Sequence, residues 1–322
     1  ADYSTIKGFT VQSLASDPSL PGVAGGAWAS GVSINTARNE NTGCGSQTAA
    51  LTIGGNDGAP GSTVKIVEEY NGTTWTEKND LLTARQNGAA TAGTTTAAIV
   101  AGGNYPYIDL CETWNGTSWS EQADLNAGRQ YLAGFGTSTA AMAVGGWQSP
   151  PGVALSETWN GTSWSEGNNL TSARWGLAAA GQGTTTAGLV CGGSPAPVDG
   201  YTETYDGTSW SEQADLNTGR RNIGGAGIST LALMFGGLSP SADSVTEAWN
   251  GSTWTEVANL STAISNQGSA GAQTTALSIA GLTGAPAVTN ATEEFTTGSS
   301  VAQEGQVWYN TTSTVLKSFG QL

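Results

Sequence analysis

A turn sequence recurs along this chain every 44 to 46 residues, an interval shorter than a domain. Trp-Asn-Gly-Thr-Ser-Trp runs from Trp114 to Trp119 and again from Trp159 to Trp164; Tyr70, Tyr205 and Trp249 open variants that end at Trp75, Trp210 and Trp254. A glutamate precedes each copy, at Glu68, Glu112, Glu157, Glu203 and Glu247, and Glu293 extends the series at intervals of 44 to 46 residues. Paired glycines keep the same step at Gly54-Gly55, Gly102-Gly103, Gly145-Gly146, Gly192-Gly193 and Gly236-Gly237, with Ala280-Gly281 as a degenerate sixth. Self-similarity at this period marks a solenoid or propeller, and six units are present.

Each unit reads as four strands. The first follows an arginine, as at Gly88-Ala89-Ala90; the second is the apolar run from Ala97 to Ala101 that leads into the double glycine. The third carries Glu-Thr-Trp, and the fourth opens at Ser-Trp after an Asn-Gly pair, which predicts a tight hairpin with positive backbone angles. Four antiparallel strands make a propeller blade. Ten residues separate Trp75 from Arg85, Trp119 from Arg129, Trp164 from Arg174 and Trp210 from Arg220, and the same distance separates Trp28 from Arg38. The N-terminal segment is thus a fourth strand lacking a third, whereas Glu293-Glu294-Phe295 is a third lacking a fourth. Pairing them leaves no open sheet edge. The expected architecture is all-β: a six-bladed propeller over residues 24–298, closed by its N-terminal strand. Residues 1–23 form an extension and 299–322 a hairpin-like tail, and the alternation of Ile6, Phe9 and Val11 suggests that the extension pairs with the tail.

These repeats resemble the kelch family, whose units carry a double glycine, an aromatic-rich strand and a spaced Trp. The resemblance spans roughly residues 24 to 298 and implies a kelch-like propeller; Ala280, Ile264, Tyr70, Tyr205 and Phe295 depart from the pattern. The tail Gly305-Gln306-Val307-Trp308-Tyr309-Asn310-Thr311-Thr312, followed by Leu316-Lys317, resembles a segment of structural and fibre proteins of tailed bacteriophages. Together with the repeats it looks like kelch-like virion proteins of marine phages.

Composition narrows the chemistry. Histidine is absent, which removes the commonest general base and the usual zinc ligand and excludes the copper radical oxidation that some kelch propellers perform. Sialidase-type hydrolysis needs no histidine, but Tyr205-Asp206-Gly207-Thr208-Ser209-Trp210 lacks the spacer of an Asp-box. With 25 acidic against 10 basic residues, net charge −15, the chain is ill suited to phosphate backbones or anionic bilayers. Neither a basic leader followed by an apolar run nor a stretch of membrane-spanning length is evident. Cys44, Cys111 and Cys191 fall at different places in their repeats and are expected as buried free thiols.

Glu112, Glu157, Glu203 and Glu247, with Arg85, Arg129, Arg174 and Arg220, stand at repeat-fixed positions. A catalytic pair needs one special environment, so these are read as structural pairs locking strands or blades. Asn71, Asn115, Asn160 and Asn250 match a glycosylation pattern but are explained by the turn. No catalytic residue, metal site or cofactor is expected. In a four-stranded blade the one-to-two and three-to-four turns share one face of the disc, and the two-to-three loops and four-to-one connections share the other. The second face carries the loops that vary, and Tyr105, Tyr107, Trp147 and Tyr201 on it are the binding candidates. The function expected is that of a non-enzymatic virion protein on the phage particle surface, present in several copies, contacting other virion proteins and host-surface glycan or protein. The alternatives are a sialidase-like propeller hydrolase and a secreted cellular adhesion module.

Overall fold

The computed structural model describes residues 26–297 except 88–89, 105, 151, 196–199 and 285–286, and outside that range residues 5–6, 9–10, 12–14, 307–310 and 315–318. Six antiparallel sheets form the ring. Blade 1 comprises Thr42–Ser46, Ala49–Ile53, Val67–Tyr70 and Trp75–Lys78; blade 2, Ala90–Gly93, Ala98–Ala101, Cys111–Trp114 and Trp119–Glu121. Blade 3 comprises Ala133–Thr137, Ala140–Val144, Ser156–Trp159 and Trp164–Glu166; blade 4, Ala178–Ala179, Gly188–Cys191, Thr202–Tyr205 and Trp210–Glu212. Blade 5 is Gly224–Ile228, Leu231–Phe235, Thr246–Trp249 and Trp254–Glu256. Blade 6 takes Gly268–Ala272, Thr275–Thr283 and Val288–Thr297 from the end of the chain and Gly26–Ser30 from its beginning.

That last pairing is the expected closure. Phe295 lies opposite Trp28, with ring centroids 5.3 Å apart. The geometry repeats the Trp114–Trp119 and Trp159–Trp164 pairs, both at 5.4 Å. The core is divided into six clusters, each filled from two neighbouring blades. Ile99 and Cys111 of blade 2 meet Trp159 and Trp164 of blade 3, for instance, and Tyr70 and Trp75 of blade 1 meet Leu277 and Ile279 of blade 6. Burial of apolar area between blades therefore holds the ring, and no blade has a core of its own.

Between blades run the repeat-fixed charges. Arg85–Glu112, Arg174–Glu203, Arg220–Glu247 and Arg38–Glu68 close at 2.5 to 2.9 Å, and Arg129 pairs with Glu157 in the same way. Each arginine lies on the connection entering a blade, and each glutamate on that blade's third strand. The carboxylate also accepts backbone N–H groups from the same connection, such as Leu82 and Thr83 onto Glu112 and Asn126 onto Glu157. Burial pulls the guanidinium pKa of Arg38 and Arg129 down, opposed by the hydrogen bond and charge of the partner glutamate. In blade 6 Ile264 replaces the arginine, and among the described residues the Glu293 carboxylate holds Ser261 and Thr262.

One local expectation needs correction. The Asn-Gly hairpins are four-residue loops in which glycine alone turns left-handed, Gly116 at φ 91°. Asn115 works through its side chain, accepting the N–H groups of Thr117 and Ser118; Asp206 does the same for Thr208 and Ser209. The first strand of blade 2 is described from Ala90, with Gly88 and Ala89 outside the described residues. Ala280, in a glycine slot, keeps the left-handed backbone at φ 57° beside a register shift. Outside the ring, Val307–Asn310 and Val315–Ser318 form the expected hairpin, and Gln12–Leu14 adds to it in parallel.

Candidate functional site: the narrow mouth of the axial channel

First strands from all six blades wall an axial channel. Its wider part, a cavity of about 560 Å³, opens among the one-to-two turns and is lined by Gly, Ala, Ser and Thr with few functional side chains, such as Gln182 and Thr184. Here the 3–4 hairpins are bound to the 1–2 turns, as Trp114 Nε1 donates to the Thr95 carbonyl and Trp159 Nε1 to that of Ser138. These bonds tie the turns within each blade, and on the same face Gln47 and Gln273 reach from one blade to carbonyls of the next.

The opposite mouth is built differently. Two positions after each arginine, or after Ile264, stand Glu40, Asn87, Tyr131, Gly176, Asn222 and Asn266, with φ between 54° and 66°. This left-handed turn aims successive amides around the axis. Tyr131 N–H donates to Asn87, Gly176 to Tyr131, Asn222 to Gly176, Asn266 to Asn222 and Glu40 to Asn266, over 2.6 to 3.1 Å. Non-glycine residues resist this conformation, so a ring made mostly of Asn, Tyr and Glu keeps side chains there at an energetic cost. A backbone girdle thus fixes a collar of variable side chains.

One position earlier, the residue after each arginine bridges to the residue after the double glycine: Gln130 to Trp147, Trp175 to Ser194 and Arg221 to Leu238. These bridges bring Trp147 and Trp175 together edge to face at 5.4 Å, and Tyr131 lies 5.3 Å from Trp175. The Arg221 guanidinium lies 5.7 Å from the centre of the Trp175 ring. Five of the six arginines are spent in buried pairs, and Arg221 is the one left to this surface. All four side chains are half-buried, so ring faces and donors remain open to a partner.

Beneath them lies a carboxylate with a neutral shell. Tyr131 Oη donates to Glu40 at 3.4 Å, and the Asn87 amide, oriented with its nitrogen toward the carboxylate, donates at 3.1 Å. Burial raises the Glu40 pKa above the ordinary value, with the Tyr131 hydrogen bond opposing. Burial and then the Glu40 charge push the Tyr131 phenol well above its usual range.

Of the four candidate aromatics, Trp147 is in this cluster. Tyr107 is exposed in its loop, 42% accessible, and Tyr201 is half-buried, with its carbonyl accepting from Arg174. Neither stacks on another ring among the described residues, and Tyr105 lies outside them. Glu40, Tyr131, Trp175 and Arg221 were not anticipated. Their signal was present as the two columns after the arginine, which vary from blade to blade inside an otherwise fixed frame.

No protein-family model matches this chain, and no curated protein does. Among solved structures 356 chains match, so the fold is too widespread to name an activity. The solved structure of YjhT matches with a TM-score of 0.65 and 14% sequence identity, over 81% of this chain and 96% of that one. At that identity the likeness concerns architecture: the chain is a six-bladed β-propeller.

Proposed function

We propose that this propeller is a non-enzymatic structural protein of a tailed-phage virion, displayed on the particle surface in several copies and contacting host-surface glycan through its narrow axial mouth. Kelch-like repeats joined to a phage-like tail support the virion setting. One observation carries the binding reading: Trp147, Trp175 and Tyr131 form a half-open aromatic surface, flanked by Arg221. Sugar rings present apolar C–H faces edged by hydroxyls, and aromatic planes beside fixed polar groups suit both. Trp175→Ala is expected to weaken glycan binding by about ten- to a hundredfold, the loss typical of a central aromatic anchor, while Tyr107→Ala leaves it unchanged. A glycan array followed by titration of the best hit measures both; equal affinity for Trp175→Ala and the parent chain defeats the assignment. Mass spectrometry of purified virions tests the setting, and absence of the chain from particles rejects it.

The hydrolase alternative has one supporting observation, the Tyr131–Glu40 pair, because some glycosidases use a tyrosine nucleophile. A phenol whose pKa is raised by burial and a neighbouring carboxylate is a poor nucleophile, which favours the binding reading. Turnover of any member of an oligosaccharide panel, lost in Tyr131→Phe, would reverse that preference.

A further inference from the structure

The net charge of −15 is not spread evenly over the ring. The fourth strands place Glu77, Glu121, Glu166, Glu212 and Glu256 on the rim, all exposed, and Asp57 and Asp109 stand exposed among the 2–3 loops of the narrow face. The wide face is almost free of charge. Outside blade 5 its 1–2 turns are built from Thr, Ser, Ala, Gln and Gly, and its 3–4 hairpins from Asn, Gly, Thr and Ser, with Asp206 the one charged residue among the described turns. That face also carries an apolar pair. Ile228 and Leu231, 41% and 47% exposed, are register partners at the 1–2 turn of blade 5, where blade 3 pairs Thr137 with Ala140 and blade 4 pairs Thr184 with Ala187. Threonine and alanine suffice to build this turn, so the fold itself does not call for the Ile–Leu pair.

Two copies of so acidic a chain repel each other wherever rim meets rim. Through the wide face they approach with hydroxyls, amides and one apolar pair on each side, and a single carboxylate per copy. We infer that the wide face is a self-association surface on which a second copy of this chain docks face to face about a two-fold axis, the Ile228–Leu231 pair of each copy against that of the other. A two-fold contact uses the same patch on both partners, so one apolar pair per chain makes the surface self-complementary. Exposed apolar residues ringed by polar ones are the usual form of such a surface, and the Thr, Ser and Asn side chains of the neighbouring turns supply the donors and acceptors of a polar border. With two large apolar side chains from each copy, the contact belongs to the weak class, Kd roughly 10 μM. The narrow mouth lies on the opposite side of the disc and stays open in the pair.

The test is sedimentation velocity on the full chain from ~1 to ~200 μM. The expected result is a monomer–dimer equilibrium that tightens several-fold between ~20 mM and ~500 mM NaCl, because salt screens the repulsion between the rims. An association held by ion pairs would weaken instead. Ile228→Thr combined with Leu231→Ala rewrites the turn as Thr-Ser-Thr-Ala, the sequence that blade 3 already folds at residues 137–140, and is expected to weaken dimerisation about tenfold or more. Tyr107→Ala, which removes an exposed ring from the narrow face, is expected to leave it unchanged. A parent chain that stays monomeric at ~200 μM in both salts, a dimer that salt weakens, a double variant that dimerises as tightly as the parent, or an equal loss in Tyr107→Ala overturns the assignment. The salt series reads the parent chain alone, so the result does not depend on the folding of any variant. No glycan enters the measurement, which separates its outcome from that of the narrow mouth.

Discussion

A buried arginine in this ring is held by one carboxylate and a few carbonyls, so its worth depends on keeping them all. Arg129 has no solvent exposure and sits against Glu157 and the carbonyls of Ala127 and Ala143. Arg129→Met strands a buried carboxylate and is expected to cost about 3 to 5 kcal/mol, read by urea denaturation. Blade 6 supplies the internal control: Glu293 has no arginine, so Glu293→Gln should cost at least ~1 kcal/mol less than Glu157→Gln, which strands a guanidinium. Equal losses would mean that the carboxylates act only as caps for the connections. Glu40 makes the opposite case. Its pKa is raised in the folded chain by burial, so the folded state holds the proton more tightly than the unfolded one. The stability this group contributes is full below its unfolded pKa and is lost as pH rises through the raised value. Glu40→Gln should therefore flatten the fall in stability as pH rises through that raised value, followed by denaturation at several pH values. Burial and the Glu40 charge raise the Tyr131 phenol above its own, already higher, range.

Strands decide closure. The N-terminal strand contributes five register pairs to blade 6; its Trp28 stacks on Phe295 and donates through Nε1 to Thr246 Oγ1 in blade 5. Gln47 of blade 1 reaches across to the carbonyls of Ala276 and Phe295. Trp28→Ala is expected to destabilise the chain by about 2 to 4 kcal/mol, and deletion of residues 26–30 to broaden the urea transition, because blade 6 would then present a bare edge. A deletion variant that unfolds as sharply as the parent would show that the last strand finds another partner. Closure was readable from the spacing of Trp and Arg because strand content must balance around a ring. The turn geometry was misread: Asn115 acts through its side-chain oxygen, which dipeptide preference alone does not distinguish from a left-handed backbone.

At the scale of the molecule, blades share their cores, and this links the fate of the three thiols. Cys44, Cys111 and Cys191 lie in blades 1, 2 and 4, all free and buried, and burial pushes each up to about 12. None is expected to react with a thiol reagent at neutral pH in the native ring, and all three should become reactive at the same urea concentration. Labelling of one ahead of the others, followed by peptide mapping, would reveal a blade that opens by itself. The acidic balance adds long-range repulsion from anionic partners, which under the proposed glycan reading favours neutral sugars.

The sequence by itself determined the number of blades, the order of strands and the join between the chain ends, whereas the structure decided which glutamate meets which arginine. Each of the first three follows from a recurring spacing, and a repeat can be read without knowing where any side chain points. The tertiary structure decided the mouth. Glu40, Tyr131, Trp175 and Arg221 come from four different connections, separated along the chain by 181 residues from first to last, and only the closing of the ring and the left-handed collar bring them together. Trp147 was singled out from its loop, yet its partner Trp175 stands beside an arginine that had been assigned to structure. What the loop presents is set by which neighbour the curvature of the ring delivers to it, a property that no single repeat encodes.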